Sequence, residues 1–336
     1  MNGKERTLAA LTGEPTDRPP ALPIIHSAYA RLAGIPLGKY YGDAATMAEA
    51  IVGGCRGYGF DGVQLSMGVT GEAEALGAKV EQPADGAPLL KDHPLKAVGD
   101  FVGLDPSAAG RAGRMPMYFE AVRRAADQIG GDSFILSTLR GPLNIASQLR
   151  GVEEMLMDLI DEPEEACRLL DFTTQVAIEV SRASVGTGAD GLLFGEATCS
   201  PNFISPDMYR EFVQPRHARL IAETRAMGWR FAGFHICGDI RPIFGDIIGT
   251  GAAFLDIDYQ VPADEAIALS GGRIAMRGNL DPSGVFLRGS PDDIRKRTTA
   301  LRTAASGHRW ILASGCDISP GVPGANLRAF AEAATQ

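Results

Sequence analysis

The sequence predicts an α/β protein folded as a single (β/α)8 TIM barrel over residues 1–336. Three observations carry that expectation. Eight short apolar runs recur along the chain, each closed by a polar or glycine-rich turn and followed by a helical pattern. Strands that alternate with helices pair in parallel, and eight of them suit a closed barrel. No G-x-G-x-x-G follows any run, which disfavours the open doubly wound sheet that the same alternation allows.

In chain order the strand-like runs are Ala21 to His26, Gly62 to Ser66, Ser133 to Thr138, Gly191 to Glu196, Arg230 to His235, Ala253 to Asp258, Arg273 to Arg277, and Arg309 to Ser314. Glycine-rich turns such as Tyr58-Gly59-Phe60-Asp61-Gly62 and Gly186-Thr187-Gly188-Ala189-Asp190-Gly191 close the preceding helices, because glycine accepts the left-handed terminal conformation. Between the runs, Glu164 to Val185 sets Leu169, Leu170, Val176, Ala177 and Val180 at helical spacing. Asp207 to Met227, Pro291 to Ala305 and Gly324 to Ala334 read the same way, with Ser205-Pro206-Asp207 and Ser290-Pro291-Asp292 as N-terminal caps. Val69 to Met117 is too long for a simple crossover and rich in Gly, Ala, Pro and Asp. It is expected as an elaborated loop over one barrel end.

Composition narrows the function classes. Forty-one acidic residues against 32 Lys plus Arg leave a net charge of −9, with no long basic run. Nucleic acid and anionic membrane surfaces are therefore not expected partners, since both demand clustered positive charge. Cys55, Cys167, Cys199, Cys237 and Cys316 are odd in number and form no C-x-x-C, so no disulfide framework is expected. Met1 to Pro20 lacks the apolar stretch of a signal peptide, and no run nears the ~20 apolar residues that span a bilayer. A reducing cytoplasm is the expected location.

In such a barrel the site forms where the strands end. His26, Ser66, Arg140, Glu196, His235 with Cys237, Asp256 with Asp258, Arg277 with Asn279, and Cys316 gather there. Within Phe234-His235-Ile236-Cys237-Gly238, residues two apart share a strand face, which pairs an imidazole with a thiolate. That pair is a two-ligand fragment of a zinc site, and Cys316 in Ser314-Gly315-Cys316-Asp317 supplies a third donor. Gly238 would give a metal or substrate room beside the backbone. Two core cysteines beside a core histidine is the competing reading. Cys55 and Cys167 read as helix packing residues, His93 and His308 as surface residues, and His217 as a helix residue. Arg140 and Arg277 are candidates for orienting an anionic substrate group, although Arg277 could instead pair with Asp256. His26 and Asn279 are candidate substrate contacts.

The whole chain resembles the uroporphyrinogen decarboxylase superfamily. The resemblance rests on Lys4-Glu5-Arg6 through Leu11, Gly13-Glu14-Pro15, Asp17-Arg18-Pro19-Pro20, Ile204-Ser205-Pro206 with Tyr209, Glu211-Phe212-Val213 and Pro215, and Arg277-Gly278-Asn279-Leu280-Asp281-Pro282. It implies a single-domain barrel. The R-Q-A-G-R segment that grips substrate carboxylates in true decarboxylases is replaced by His26-Ser27-Ala28-Tyr29-Ala30-Arg31, and their G-H-G-I turn by Gly315-Cys316-Asp317-Ile318. His235, Cys237 and Cys316 instead match the zinc-dependent cobamide methyltransferase branch, which includes the methylcobamide:coenzyme M and O-demethylation enzymes.

That branch implies zinc on His235, Cys237 and Cys316, with Asp258 or Glu196 as a fourth ligand or as acid/base groups, or an open fourth position. It implies methyl transfer to a thiol that zinc deprotonates, or from a methyl ether whose oxygen zinc polarises. No D-x-H-x-x-G corrinoid-binding loop occurs here, so the corrinoid (methylcobalamin) is expected in trans on a partner corrinoid protein. A decarboxylase and a non-catalytic zinc-binding member are the alternatives. A homodimer is compatible with the resemblance.

Overall fold

The computed structural model describes residues 1–335. Its main sheet has seven strands, all paired in parallel in the order β1 (Gly62–Leu65), β4 (Phe134–Arg140), β5 (Gly191–Gly195), β6 (Phe231–His235), β7 (Phe254–Ile257), β8 (Ala275–Leu280) and β9 (Trp310–Ser314). The strands β2 (Val80–Glu81) and β3 (Leu89–Leu90) form a separate antiparallel pair.

The expected first strand, Ala21 to His26, shrinks to a single parallel bridge between Ala21 and Leu312. The sheet is seven-stranded rather than eight-stranded, and proline is the reason. Pro20 and Pro23 have no N–H to give a ladder. The segment still lies between β9 and the start of β1. Leu312 donates to the Pro20 carbonyl at 2.7 Å, Leu22 donates to Leu312 at 3.0 Å, and Asp61 donates to Ala21 at 2.9 Å.

Seven of the eight runs are strands at nearly the expected positions. Helices Pro163–Ala183, Pro291–Ala305 and Gly324–Thr335 also follow expectation. Ser205 and Ser290 cap as read, accepting from the backbone N–H groups of Met208 and Asp293. The expected helix from Asp207 to Met227 is broken instead into Pro206–Met208, a π-helical stretch Tyr209–Val213, and Gln214–Ala226. Pro215 lacks the N–H that an unbroken α-helix would need there. The Val69 to Met117 elaboration holds helix Gly71–Ala75, the β2–β3 pair and the 3-10 turn Pro106–Arg111.

Strand side chains alternate between two cores. A small inner cluster joins Phe134, Leu136, Leu193, Phe231, Phe254, Ala275 and Ile311 with Ala10 and Leu11 of helix Gly3–Thr12. That helix is pinned by Arg6, which ion-pairs with Asp17 and Asp61; Arg18 reaches Asp61 as well. Asp61 also accepts the Ala21 N–H. The charged motif near the N-terminus thus serves the fold. The larger outer core lies between strands and helices and contains Ile135, Leu192, Phe194, Phe234 and Leu255.

Candidate metal centre

The inner cluster closes one end of the sheet and leaves the strand C-termini to polar groups. Phe231 faces the cluster, so Gly233 and His235 on β6 share its face. By the same alternation Asp256 follows Phe254, and Arg277 follows Ala275. Strand register then sets four positions in a row across β5 to β8: Gly195 pairs with His235, His235 with Asp256, and Asp256 with Arg277.

This row builds a relay. The Asp256 Oδ2 atom lies 2.9 Å from His235 Nδ1, so the imidazole donates its Nδ1 proton there. Arg277 clamps the same carboxylate with two bonds of 2.8 and 2.6 Å. Asp256 and Arg277 are each 1% exposed. Burial alone would raise the Asp256 carboxyl, but Arg277 and His235 hold it below the usual carboxylate range.

The other imidazole nitrogen faces two thiols. His235 Nε2 lies 3.3 Å from Cys237 Sγ and 3.5 Å from Cys316 Sγ, and the two sulfurs are 3.9 Å apart. Tetrahedral zinc, with Zn–N of ~2.0 Å and Zn–S of ~2.3 Å, separates its ligands by roughly 3.5 Å for N···S and 3.8 Å for S···S. The donor set and its spacing fit that ion. Burial would lower His235, but Asp256 and Cys316 outweigh it and raise its pKa to about 10. A hydrogen bond with Cys316 lowers Cys237, and the same contact together with burial pushes Cys316 well up.

The three donors do not come together by strand alternation alone. The strand β6 stops at His235, and Cys237 sits in the turn beyond it. Gly238 adopts φ +88°, and its N–H donates to Asp258 Oδ2 at 3.0 Å while Asp258 Oδ1 takes the Gln260 N–H. Asp258 therefore shapes the turn that presents Cys237. The space beside Gly238 is not open to a ligand, because a Cβ there would meet Ser200 and Asn202 side-chain atoms at 2.9 Å.

A cavity of about 200 Å³ opens over the three donors and is also lined by His26, Gln64, Thr138 and Arg140. Arg140 lies across Gly195, where any Cβ would sit 2.1 Å from Nη1. Its Nη2 donates to the neutral Ser66 hydroxyl at 3.2 Å, and its backbone N–H donates to buried Glu72. His26 Nδ1 lies 3.1 Å from Asp317.

The remaining expected residues lie elsewhere. Glu196 does not join the thiols, because its oxygens already accept from the backbone N–H groups of Leu143 and Asn144 and contact His217 Nε2 at 2.9 Å. His217 in turn meets Tyr209, and it stacks on Phe234. This Glu196–His217–Tyr209 network, with buried Cys199 nearby, is invisible to local pattern because Tyr209 and His217 are read only as helix residues. Arg277 is a partner of Asp256 and does not line the cavity, and Asn279 gives its amide N–H to the Val261 carbonyl. Gln64, Thr138 and Asp317 also line the cavity, and no motif in the sequence marks them for it.

The family model for uroporphyrinogen decarboxylase (URO-D) matches residues 2–336. The chain belongs to the uroporphyrinogen decarboxylase family. Within it, the chain is 27% identical to a methylcobamide:CoM methyltransferase of Methanosarcina barkeri, covering 98% of this chain and 96% of that protein. It is 26% identical to a methylated-thiol–coenzyme M methyltransferase of Methanosarcina mazei, over 99% of this chain and 89% of the relative. Among solved structures, a methyltransferase from Methanosarcina mazei superposes with a TM-score of 0.91 at 26% identity, covering 99% of this chain and 98% of that one. Among the described residues no helix is long and apolar enough to cross a membrane.

Proposed function

We propose that this family member is a single-domain, zinc-dependent methyltransferase. It moves a methyl group between a corrinoid carried by a partner protein and a small thiol. The observation that carries the reading is the His235–Cys237–Cys316 cluster, with His235 held from behind by Asp256 and Arg277. Metal-ligating histidines are usually oriented in this way through their second nitrogen. The resemblance to methylcobamide and methylated-thiol methyltransferases, together with the cavity at the strand ends, supports the same reading.

Zinc bound by this set would lower the pKa of a thiol entering the cavity, making it a nucleophile near neutral pH. Asp256 keeps Nδ1 of His235 protonated, so Nε2 is the nitrogen offered to the metal. Arg277 keeps Asp256 ionised although it is buried. Arg140 presents donors to an anionic end of the substrate, since the hydrogen-bond partner of its Nη2 is a neutral hydroxyl. The corrinoid partner would dock over the strand ends, where Val69, Phe203 and Tyr259 present exposed apolar surface in the loops after β1, β5 and β7.

The test is an anaerobic mixture of the zinc-loaded protein, methylcobalamin and mercaptoethanol, followed by the visible spectrum. Loss of the methylcobalamin bands with formation of the methyl thioether supports the reading. No methyl transfer to any thiol, with carbon dioxide released from uroporphyrinogen, would establish a decarboxylase instead. Zinc without either turnover would establish a non-catalytic member.

A further inference from the structure

We infer that Gly195 is a specificity-determining residue. Its bare backbone seats the Arg140 guanidinium in the cavity, where it selects acceptor thiols that carry an anionic group. This inference rests on the thiol-methylation reading above. The register row of the site extends one strand beyond Gly195, because Arg140 on β4 pairs with Gly195 on β5. Gly195 is therefore the position between Arg140 and His235. Neighbouring strands lie about 4.8 Å apart, so those two backbones are separated by roughly 10 Å, and the row holds no side chain between them. Arg140, Gly195, His235, Cys237 and Cys316 line one cavity, whose volume of about 200 Å³ suits a small substrate.

The guanidinium occupies the place that a side chain at Gly195 would take. A Cβ there would fall on Arg140 Nη1 and Cζ, and the nearest atoms it meets all belong to that side chain. Three other strand glycines differ. At Gly62, Gly191 and Gly233 a Cβ would meet the carbonyl oxygens of Phe134, Phe231 and Phe254, which are fixed in the sheet. Those three glycines serve backbone packing, whereas Gly195 serves Arg140.

Arg140 is tethered on two sides. Its backbone N–H donates to buried Glu72 at 2.8 Å, and its Nη2 donates to the Ser66 hydroxyl at 3.2 Å. The side-chain partner is neutral, so the planar fork of the guanidinium is offered to an oxyanion of the substrate. A methyl group at Gly195 would displace a flexible guanidinium and no backbone. Gly195 does not adopt a positive φ, so alanine is compatible with its backbone.

The experiment measures kcat/KM for mercaptopropionate and for mercaptopropanol, thiols of equal chain length, with methylcobalamin as donor and the zinc-loaded protein. The quantity read is the ratio of the two, anionic over neutral. Wild type should prefer the anionic thiol. Gly195→Ala should lower the ratio by about 10–100-fold, chiefly through KM of the anionic thiol, and Arg140→Met should lower it as much. The double variant should lower it no further than either change alone, because both remove one contact. Gly195→Ala should also hold as much zinc as wild type. An unchanged ratio in Gly195→Ala, additive losses in the double variant, or loss of zinc would overturn the role of Gly195. If Gly195→Ala is insoluble, the double variant decides. Arg140→Met removes the atoms that a Cβ would strike, so the double variant must be soluble, and an insoluble one overturns the inference. A wild type that methylates both thiols without preferring the anionic one overturns the inference and leaves the thiol reading standing. One that methylates neither overturns the thiol reading itself.

Discussion

His235 and Asp256 are register partners on neighbouring strands, and their side chains meet at 2.9 Å through Nδ1 and Oδ2. Backbone pairing thus decides which imidazole nitrogen faces the thiols. Asp256→Asn would offer a weaker partner and loosen the ring. Zinc affinity should fall by about 10–100-fold, measured by competition with a chelating dye. Wild-type affinity in this variant would show that the contact does not tune the site.

Arg277 is the partner that lets Asp256 stay ionised while 1% exposed. Arg277→Met would leave a buried carboxylate with only His235 beside it. Breaking one side of a buried pair costs about 3–5 kcal/mol. Urea denaturation should show a loss of that order, and a loss no larger than that of a surface substitution would contradict this account.

Glu196 was a candidate for chemistry, but its partners are Leu143, Asn144 and His217. Glu196→Gln should therefore leave zinc content unchanged. The fold should lose about 1–3 kcal/mol, because an amide cannot accept all of those bonds. Loss of zinc with stability intact would restore Glu196 to the metal.

Protons compete with metal at the cluster. In the metal-free protein Asp256 and Cys316 hold the His235 proton up to about pH 10, against the burial that would expel it. Binding zinc requires a neutral imidazole and ionised thiols, so it releases protons. Fewer protons are bound in the metal complex, and zinc affinity must rise with pH between about 6 and 8. Calorimetry in buffers of different ionisation enthalpy counts the protons released, and a count of zero would contradict the assignment.

Much of this is legible in the sequence. Seven strands and the capping serines follow from apolar runs and cap residues, and the sequence names His235, Cys237 and Cys316 as neighbours, although Cys237 comes from the turn after β6 and not from its face. Pro20 and Pro23 stand beside and inside the first run, and their missing N–H groups explain why it pairs only at Ala21. Glu196 is ambiguous in the sequence, because a carboxylate at a strand end looks the same whether it faces the cavity or the helix Pro142–Arg150. Asp258 is ambiguous for a similar reason, since a turn-shaping aspartate and a metal ligand occupy the same place in the sequence. The His26–Asp317 approach joins residues at opposite ends of the chain, which no local pattern reports.

Metal analysis of the purified protein tests the central claim most directly, with His235→Ala and Cys316→Ala measured beside it. The account predicts about one zinc per chain in the wild type and little or none in either variant, with all three proteins folded. A folded wild type that holds no zinc after zinc loading would contradict it.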